Sequence, residues 1–204
     1  TGATQSWGTN TLTDKSSIAV GSGNRILTRN SIACGSTNAI AEGAYDGMAT
    51  GNGNVINKQR SFAAGINNTV NSFGCAAFGD RNTVNKQLSF VCGGMNTIDA
   101  PYGVGAGLNV RIETYAGFGC GRYNNPREPT QSSSSEIGDA FVVGAGTADA
   151  RSNALRVSYS GDTYTLKAVN SSGADYAEFI KPWADGNPNA EDRVGFFVTI
   201  KDSF

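Results

Sequence analysis

The 204-residue chain contains no histidine. That excludes, within it, any Ser/His/Asp or Cys/His nucleophilic site and any zinc or haem site that needs imidazole. Long apolar runs are missing too: none approaches the ~20 residues that span a bilayer, and no charged-then-apolar leader opens the chain, so no membrane partner is expected. Charge of one sign is also lacking. With 16 Lys and Arg against 17 Asp and Glu, there is no basic footprint for nucleic acid. The missing initiator methionine and the abrupt start and stop predict an excised piece of a larger protein. Cysteine is sparse: the four residues Cys34, Cys75, Cys92 and Cys120 form no C-x-x-C and no metal-ligand spacing. They read as free thiols, which favours assembly in a reducing compartment. No cofactor is expected.

Glycine, by contrast, is abundant at 27 residues, and it is periodic. Units beginning at residues 3, 17, 31, 47, 61, 75, 89, 103 and 117 align on the pattern small, apolar, Ala, any, Gly, any, any, Asn, any, aliphatic, with a step of 14 everywhere except 16 between 31 and 47. Gly21, Gly35, Gly51, Gly65, Gly79, Gly93, Gly107 and Gly121 hold position five, which fails at Trp7. Asn10, Asn24, Asn38, Asn54, Asn68, Asn82, Asn96 and Asn124 hold position eight, which fails at Val110. The aliphatic tenth position runs from Leu12 to Ile112 and ends at Pro126.

A 14-residue unit is too short for a helical repeat, and apolar residues alternate with Ala in short runs such as Ser17-Ile18-Ala19-Val20. Each unit therefore reads as two short strands and two corners. Gly frees one corner of side-chain clash, and Asn is the non-Gly residue most tolerant of positive φ. Stacked corners would align the Asn side chains into a hydrogen-bonding ladder. At ~4.8 Å per coil the stack is a rod roughly 40 Å tall. Its core is thin against a backbone entropy of ~1 to 2 kcal/mol per residue, so oligomerisation is expected. The small column at position three, Ala19, Ala33, Ala49, Ala63 and Ala77, is expected to admit another chain. Cys34, Cys92 and Cys120 share position four with Val20, Ala64 and Phe78 and read as core fillers. Asn57-Lys58-Gln59 and Asn85-Lys86-Gln87 occupy matching outer positions, readable as a solvated outer strand or as a receptor face. A hexapeptide coil would recur at ~6 or ~18 residues and calcium-binding nonapeptides need an Asp in every unit, so both are excluded.

The units Ser17-Ile-Ala-Val-Gly-Ser-Gly-Asn24 and Ser31-Ile-Ala-Cys-Gly-Ser-Thr-Asn38 resemble the head repeats of trimeric autotransporter adhesins. The resemblance covers residues 3–125 and implies an all-β, left-handed parallel β-roll that assembles as a homotrimer.

Pro126, Pro129 and the serines 132–135 mark a composition shift, read as a linker over 126–137 between a repeat domain, 1–125, and a small β-rich trimerising module, 138–204. Strands are expected at 141–143, 154–158, 164–169 and 193–200, the second and third joined as a hairpin at Ser160-Gly161-Asp162. The stretches Arg151-Ser-Asn-Ala-Leu-Arg-Val157, Ser172-Gly-Ala-Asp-Tyr-Ala-Glu178, Trp183-Ala-Asp-Gly-Asn-Pro188 and Glu191-Asp-Arg-Val-Gly195 resemble the junction between phage tail spikes, or pre-neck appendage proteins, and their self-cleaving C-terminal chaperone. This resemblance implies a trimeric structural virion protein, assembled in the host cytoplasm and placed in the tail, whose chaperone trimerises it and then releases itself in a single turnover. It implies two placements for the cut: Asp175 with Glu178 as catalytic carboxylates, or Asp202-Ser203 as the scissile bond. Asp175 and Glu178 equally suit capping a turn or pairing with Arg193, and the fragment itself reads as non-catalytic. A host cell-wall glycan is the expected external partner. The alternatives are a trimeric adhesin or receptor-binding head without processing, and a polysaccharide-degrading enzyme. The last needs paired carboxylates, which the spacing of Asp46, Asp80, Asp99 and Glu113 does not suggest.

Overall fold

The computed structural model describes residues 5–14, 16–126 and 138–167. Among them every regular element is a strand, arranged as a parallel β-solenoid followed by a small antiparallel module. Each coil contributes one long strand, such as Ile18–Ser22 or Phe62–Ile66, and one two-residue strand, such as Arg25–Ile26 or Thr69–Val70. The long strands stack in parallel into one sheet, which two antiparallel strands of the terminal module extend to twelve, and the short ones stack into a parallel sheet of eight. Register follows the repeat: Ala63 lies beside Ala77 and Gly65 beside Gly79 in the large sheet, Val70 beside Val84 in the small one.

The side chains at positions three and ten close the space between the sheets. Ala19, Ala33, Ala49, Ala63 and Ala77 on one wall, and Ile26, Ile40, Ile56, Val70 and Val84 on the other, are all 0 % exposed. The position-three column therefore points inward, and its smallness serves the coil's own core rather than another chain. Where the column loses its methyl groups, at Gly105 and Gly119, the facing isoleucines fill the gap: a Cβ there would lie 2.8 Å from Ile98 Cδ1 or 2.5 Å from Ile112 Cδ1. With position three inward, the pleat turns positions two and four outward. Cys34, Cys92 and Cys120 are accordingly half-buried on the outer surface, not core fillers.

Position five is held by backbone geometry. Gly79 has φ of 114°, and a Cβ on it would occupy the place of the Gly93 carbonyl oxygen. The same contact recurs up the stack, and it reaches Gly8, at φ 97°, against Gly21. The irregularity at Trp7 is thus a one-residue deletion: Trp7 pairs with Val20, 13 residues on, while Leu12 pairs with Ile26, 14 on. The two extra residues of the unit at 31 fall in the turn between Ile40 and Gly47, where Ala44 is buried and donates its N–H to Ala41 O at 3.1 Å.

The buried asparagines form the expected ladder. Asn68 Nδ2 donates to Asn54 Oδ1 at 2.9 Å, to Ala64 O at 3.1 Å and to Gly79 O at 2.8 Å, and its backbone N–H donates to the same Asn54 Oδ1 at 3.1 Å. From Asn24 to Asn96 each amide so joins three coils and satisfies corner carbonyls. At Val110 only the backbone bond to Asn96 Oδ1 survives, at 2.7 Å. These asparagines do not adopt positive φ. The left-handed corners are instead at positions seven and fourteen, in residues as ill-suited as Arg60, Arg81, Leu88, Met95 and Tyr102, at φ of 54° to 58°. Since a non-Gly residue there costs ~1 to 2 kcal/mol and Asn less, Arg60→Asn is expected to raise stability by about 0.5 to 1 kcal/mol in urea unfolding. A loss would contradict the assignment of strain.

The large sheet runs on beyond the expected linker. Asp139–Ala145 pairs in parallel with Phe118–Arg122, Phe141 beside Phe118 and Gly144 beside Gly121. Asn153–Ser158 then pairs with it antiparallel, and Thr163–Thr165 antiparallel with that strand, giving the hairpin around Ser160-Gly161-Asp162. Arg151 bolts this module to the last coil. Its Nη1 donates to Asn109 O at 2.9 Å and Asn124 O at 3.0 Å, and its Nη2 to Asn109 Oδ1. Desolvation, helped by the charge of Arg111, lowers its pKa from the ordinary arginine value.

Candidate interaction surface

The outward side of the large sheet is built from positions two and four. Position two carries Ile18, Ile32, Met48, Phe62, Ala76, Phe90, Val104, Phe118 and Phe141, and position four carries Val20, Cys34, Thr50, Ala64, Phe78, Cys92, Ala106, Cys120 and Val143. No charged residue interrupts either column from Ile18 to Val143, over a strip about 40 Å long at the usual strand spacing. Met48, Phe90 and Phe118, spaced along this strip, are each 40 % exposed, high for large apolar side chains. Contiguous exposed apolar area beyond a few hundred Å² marks an interaction site.

Side-chain sizes alternate across the strip. Phe62 stands beside Ala64, Ala76 beside Phe78, and Phe90 beside Cys92. Phe78 leans between its neighbours, its ring centroid 5.0 Å from Phe62 and 5.7 Å from Phe90, and Phe118 stacks on Phe141 at 5.5 Å. The rings make a ridge with small residues beside it, a relief suited to interdigitation. In the C-terminal half the apolar band widens on both flanks: Ile66, Leu108 and Met95 are exposed on one, Leu88 and Tyr102 on the other.

The thiols divide by face. Cys75, at position one, is 2 % exposed and its Sγ donates to Lys86 O at 3.2 Å and Phe73 O at 3.3 Å. Desolvation pushes its pKa up against the smaller pull of the Ser89 and Leu88 backbone. With rising denaturant, Cys34, Cys92 and Cys120 are expected to take a thiol reagent before Cys75, because only Cys75 requires the coil itself to open. Site-resolved mass spectrometry that finds Cys75 labelled first would contradict this placement.

Asp46, Asp80, Asp99 and Glu113 each have a partner other than a carboxylate. Asp80 pairs with Arg81 at 2.8 Å and Glu113 with Arg111 at 2.9 Å, while Asp46 accepts from Asn30 at 3.2 Å and Asp99 from Asn85 at 2.7 Å. Asp139, 5 % exposed, lies 3.5 Å from Arg156 Nε, whose guanidinium sits over Tyr164. Beside it, at the end of the coil stack, a cleft lined by Arg111, Thr114, Asn124 and Val142 has room for about one water. Among the described residues no group of three or more His, Cys, Asp or Glu could hold a metal ion, and no helix is long and apolar enough to cross a membrane. The expected cleavage residues Asp175, Glu178, Asp202 and Ser203 lie outside the described residues.

The two Asn-Lys-Gln stretches lie on the outer side of the small sheet, and between them sequence reasoning missed a connection: Asn57 and Asn85 are joined through Asn71 into an outer ladder. The signal was present, since Asn71 sits 14 residues from each, but its neighbours Ser72 and Phe73 break the match of the tripeptide. No family model, curated protein or solved structure matches the chain.

Proposed function

We propose that the chain is a structural rod of a virion, the distal part of a homotrimeric phage tail spike or appendage that contributes to host attachment. The observation that carries this reading is the uncharged apolar strip on the outer face of the large sheet. A coil whose interior holds one residue no larger than valine, mostly alanine, and one isoleucine or valine per turn buries little apolar surface of its own. Covering the strip with two parallel copies would supply what the thin core lacks, and a closed threefold arrangement leaves no copy with the strip exposed. Parallel copies in register set Phe62, Phe78 and Phe90 of each against the small positions of the next. The four free thiols suit assembly in the host cytoplasm. The placement in a tail, and the release of a chaperone through Asp175, Glu178 or the Asp202-Ser203 bond, rest on the sequence resemblance.

Gold-labelled antibody raised against residues 5–126 tests the placement. It is expected to decorate the distal end of the tail on particles released by cells that carry the parent gene. Particles left bare while the cell surface is labelled would replace this reading with a cell-borne adhesin.

A further inference from the structure

The outer side of the small sheet differs in kind from the apolar strip. Asn57 Nδ2 donates to Asn71 Oδ1, Asn71 Nδ2 to Asn85 Oδ1, and Asn85 Nδ2 to Asp99 Oδ1, each at 2.7 Å. These bonds are shorter than the 2.9 and 3.0 Å amide bonds of the buried ladder. Their side chains are exposed or half-buried, so water could satisfy every amide and the ladder is not needed to avoid an unpaired group. Thr69, Thr83 and Thr97 stand rung beside rung two residues earlier in each coil, on the same outward side, because the residue between, Val70, Val84 or Ile98, points into the core. Two neighbouring rungs, Thr69 with Asn71 and Thr83 with Asn85, thus each offer one hydroxyl and one amide in fixed relation at the ~4.8 Å strand spacing, and the next pairs Thr97 with the Asp99 carboxylate. Phe73, two residues beyond Asn71, adds a ring 40 % exposed.

An amide has two N–H donors and two acceptor lone pairs, and the ladder uses one of each at Asn71 and Asn85. One donor and one acceptor per rung therefore remain, held rigid before any ligand arrives. A donor and an acceptor side by side match a pair of adjacent hydroxyls, and an exposed ring matches the C–H face of a sugar. A peptide is a poorer fit: the small-sheet strands already pair with the rungs above and below, so the strip presents no open edge along its length for a strand to join. A polyanion is disfavoured by the Asp99 carboxylate at the end of the ladder.

We propose that this strip binds a neutral linear glycan lying along the rod, its hydroxyls on the amides of Asn71 and Asn85 and the hydroxyl of Thr83, and a sugar face on Phe73. The proposal rests on the attachment reading above, and assigns that attachment to a face which assembly through the apolar strip leaves free.

The test is calorimetric titration of the full chain with cellohexaose, maltohexaose and the hexamer of N-acetylglucosamine, with polygalacturonate as the anionic comparison. Saturable binding of at least one neutral hexamer is expected. Affinity should fall about tenfold or more in Asn71→Ala/Asn85→Ala and in Phe73→Ala, the scale of one or two lost hydrogen bonds or a lost ring contact. Sedimentation of the same samples keeps the two readings apart. Glycan binding by a single-copy protein would uphold the strip and remove the trimer. A trimer that binds none of the neutral hexamers, binds only polygalacturonate, or binds equally well after these substitutions would overturn the strip and leave the rod.

Discussion

Replacing Phe78 with glutamate is expected to abolish assembly, while Lys58→Glu, on the opposite side of the coil, leaves it intact. Phe78 stands mid-strip, between Phe62 and Phe90. Burying a phenylalanine contributes about 1.5 to 3 kcal/mol, and a threefold assembly repeats that contribution in every copy. Glutamate removes it and sets three carboxylates in an apolar contact, where an unpaired charge is costlier still. The single copy left behind has only its narrow interior, so lost assembly should appear together with a large fall in the unfolding midpoint. Sedimentation velocity and urea unfolding on the same sample check both. A Phe78→Glu protein with the mass and midpoint of the parent would show that the strip faces solvent.

The second large effect is expected at the glycine corner. Gly79→Ala should cost about 3 kcal/mol or more, the sum of a left-handed residue with a β-carbon and a displaced carbonyl in the next coil. Gly161→Ala is the control: its φ of 92° is also positive, but a Cβ there meets nothing within 4 Å. Only the backbone preference remains, about 1 to 2 kcal/mol. Chemical unfolding of the two variants separates the contributions. Equal losses would mean that the carbonyl of Gly93 moves aside freely and that the glycine column is a matter of φ alone.

Why the period was legible and the faces were not is a matter of coil thickness. Gly and Asn recur because backbone contacts and the amide ladder admit little else, and residues of that kind leave their mark in sequence. Hydrophobicity could not orient the long strand. Its outer columns, with Phe62, Phe78 and Phe90, are more apolar than the alanines within, and reading the larger residues as interior put Cys34, Cys92 and Cys120 on the wrong side. The left-handed corners were hidden because Arg60, Leu88, Met95 and Tyr102 carry no turn signal; the stacking of neighbouring coils holds them in place. Gly8 was masked by a deletion that moved Trp7 into its slot. The strand Asp139–Ala145, parallel to Phe118–Arg122, could not be read as a further rung because its distance from the preceding unit departs from 14. In the outer ladder, the alternation of Asn57, Asn71 and Asn85 was visible as spacing, but their mutual bonds depend on how the corners stack.

Sedimentation equilibrium of the unmodified chain at micromolar concentration tests the central claim most directly. The rod with its apolar strip covered by two further copies should give a particle of three times 21.2 kDa, independent of loading. A stable, folded species of 21.2 kDa would contradict it.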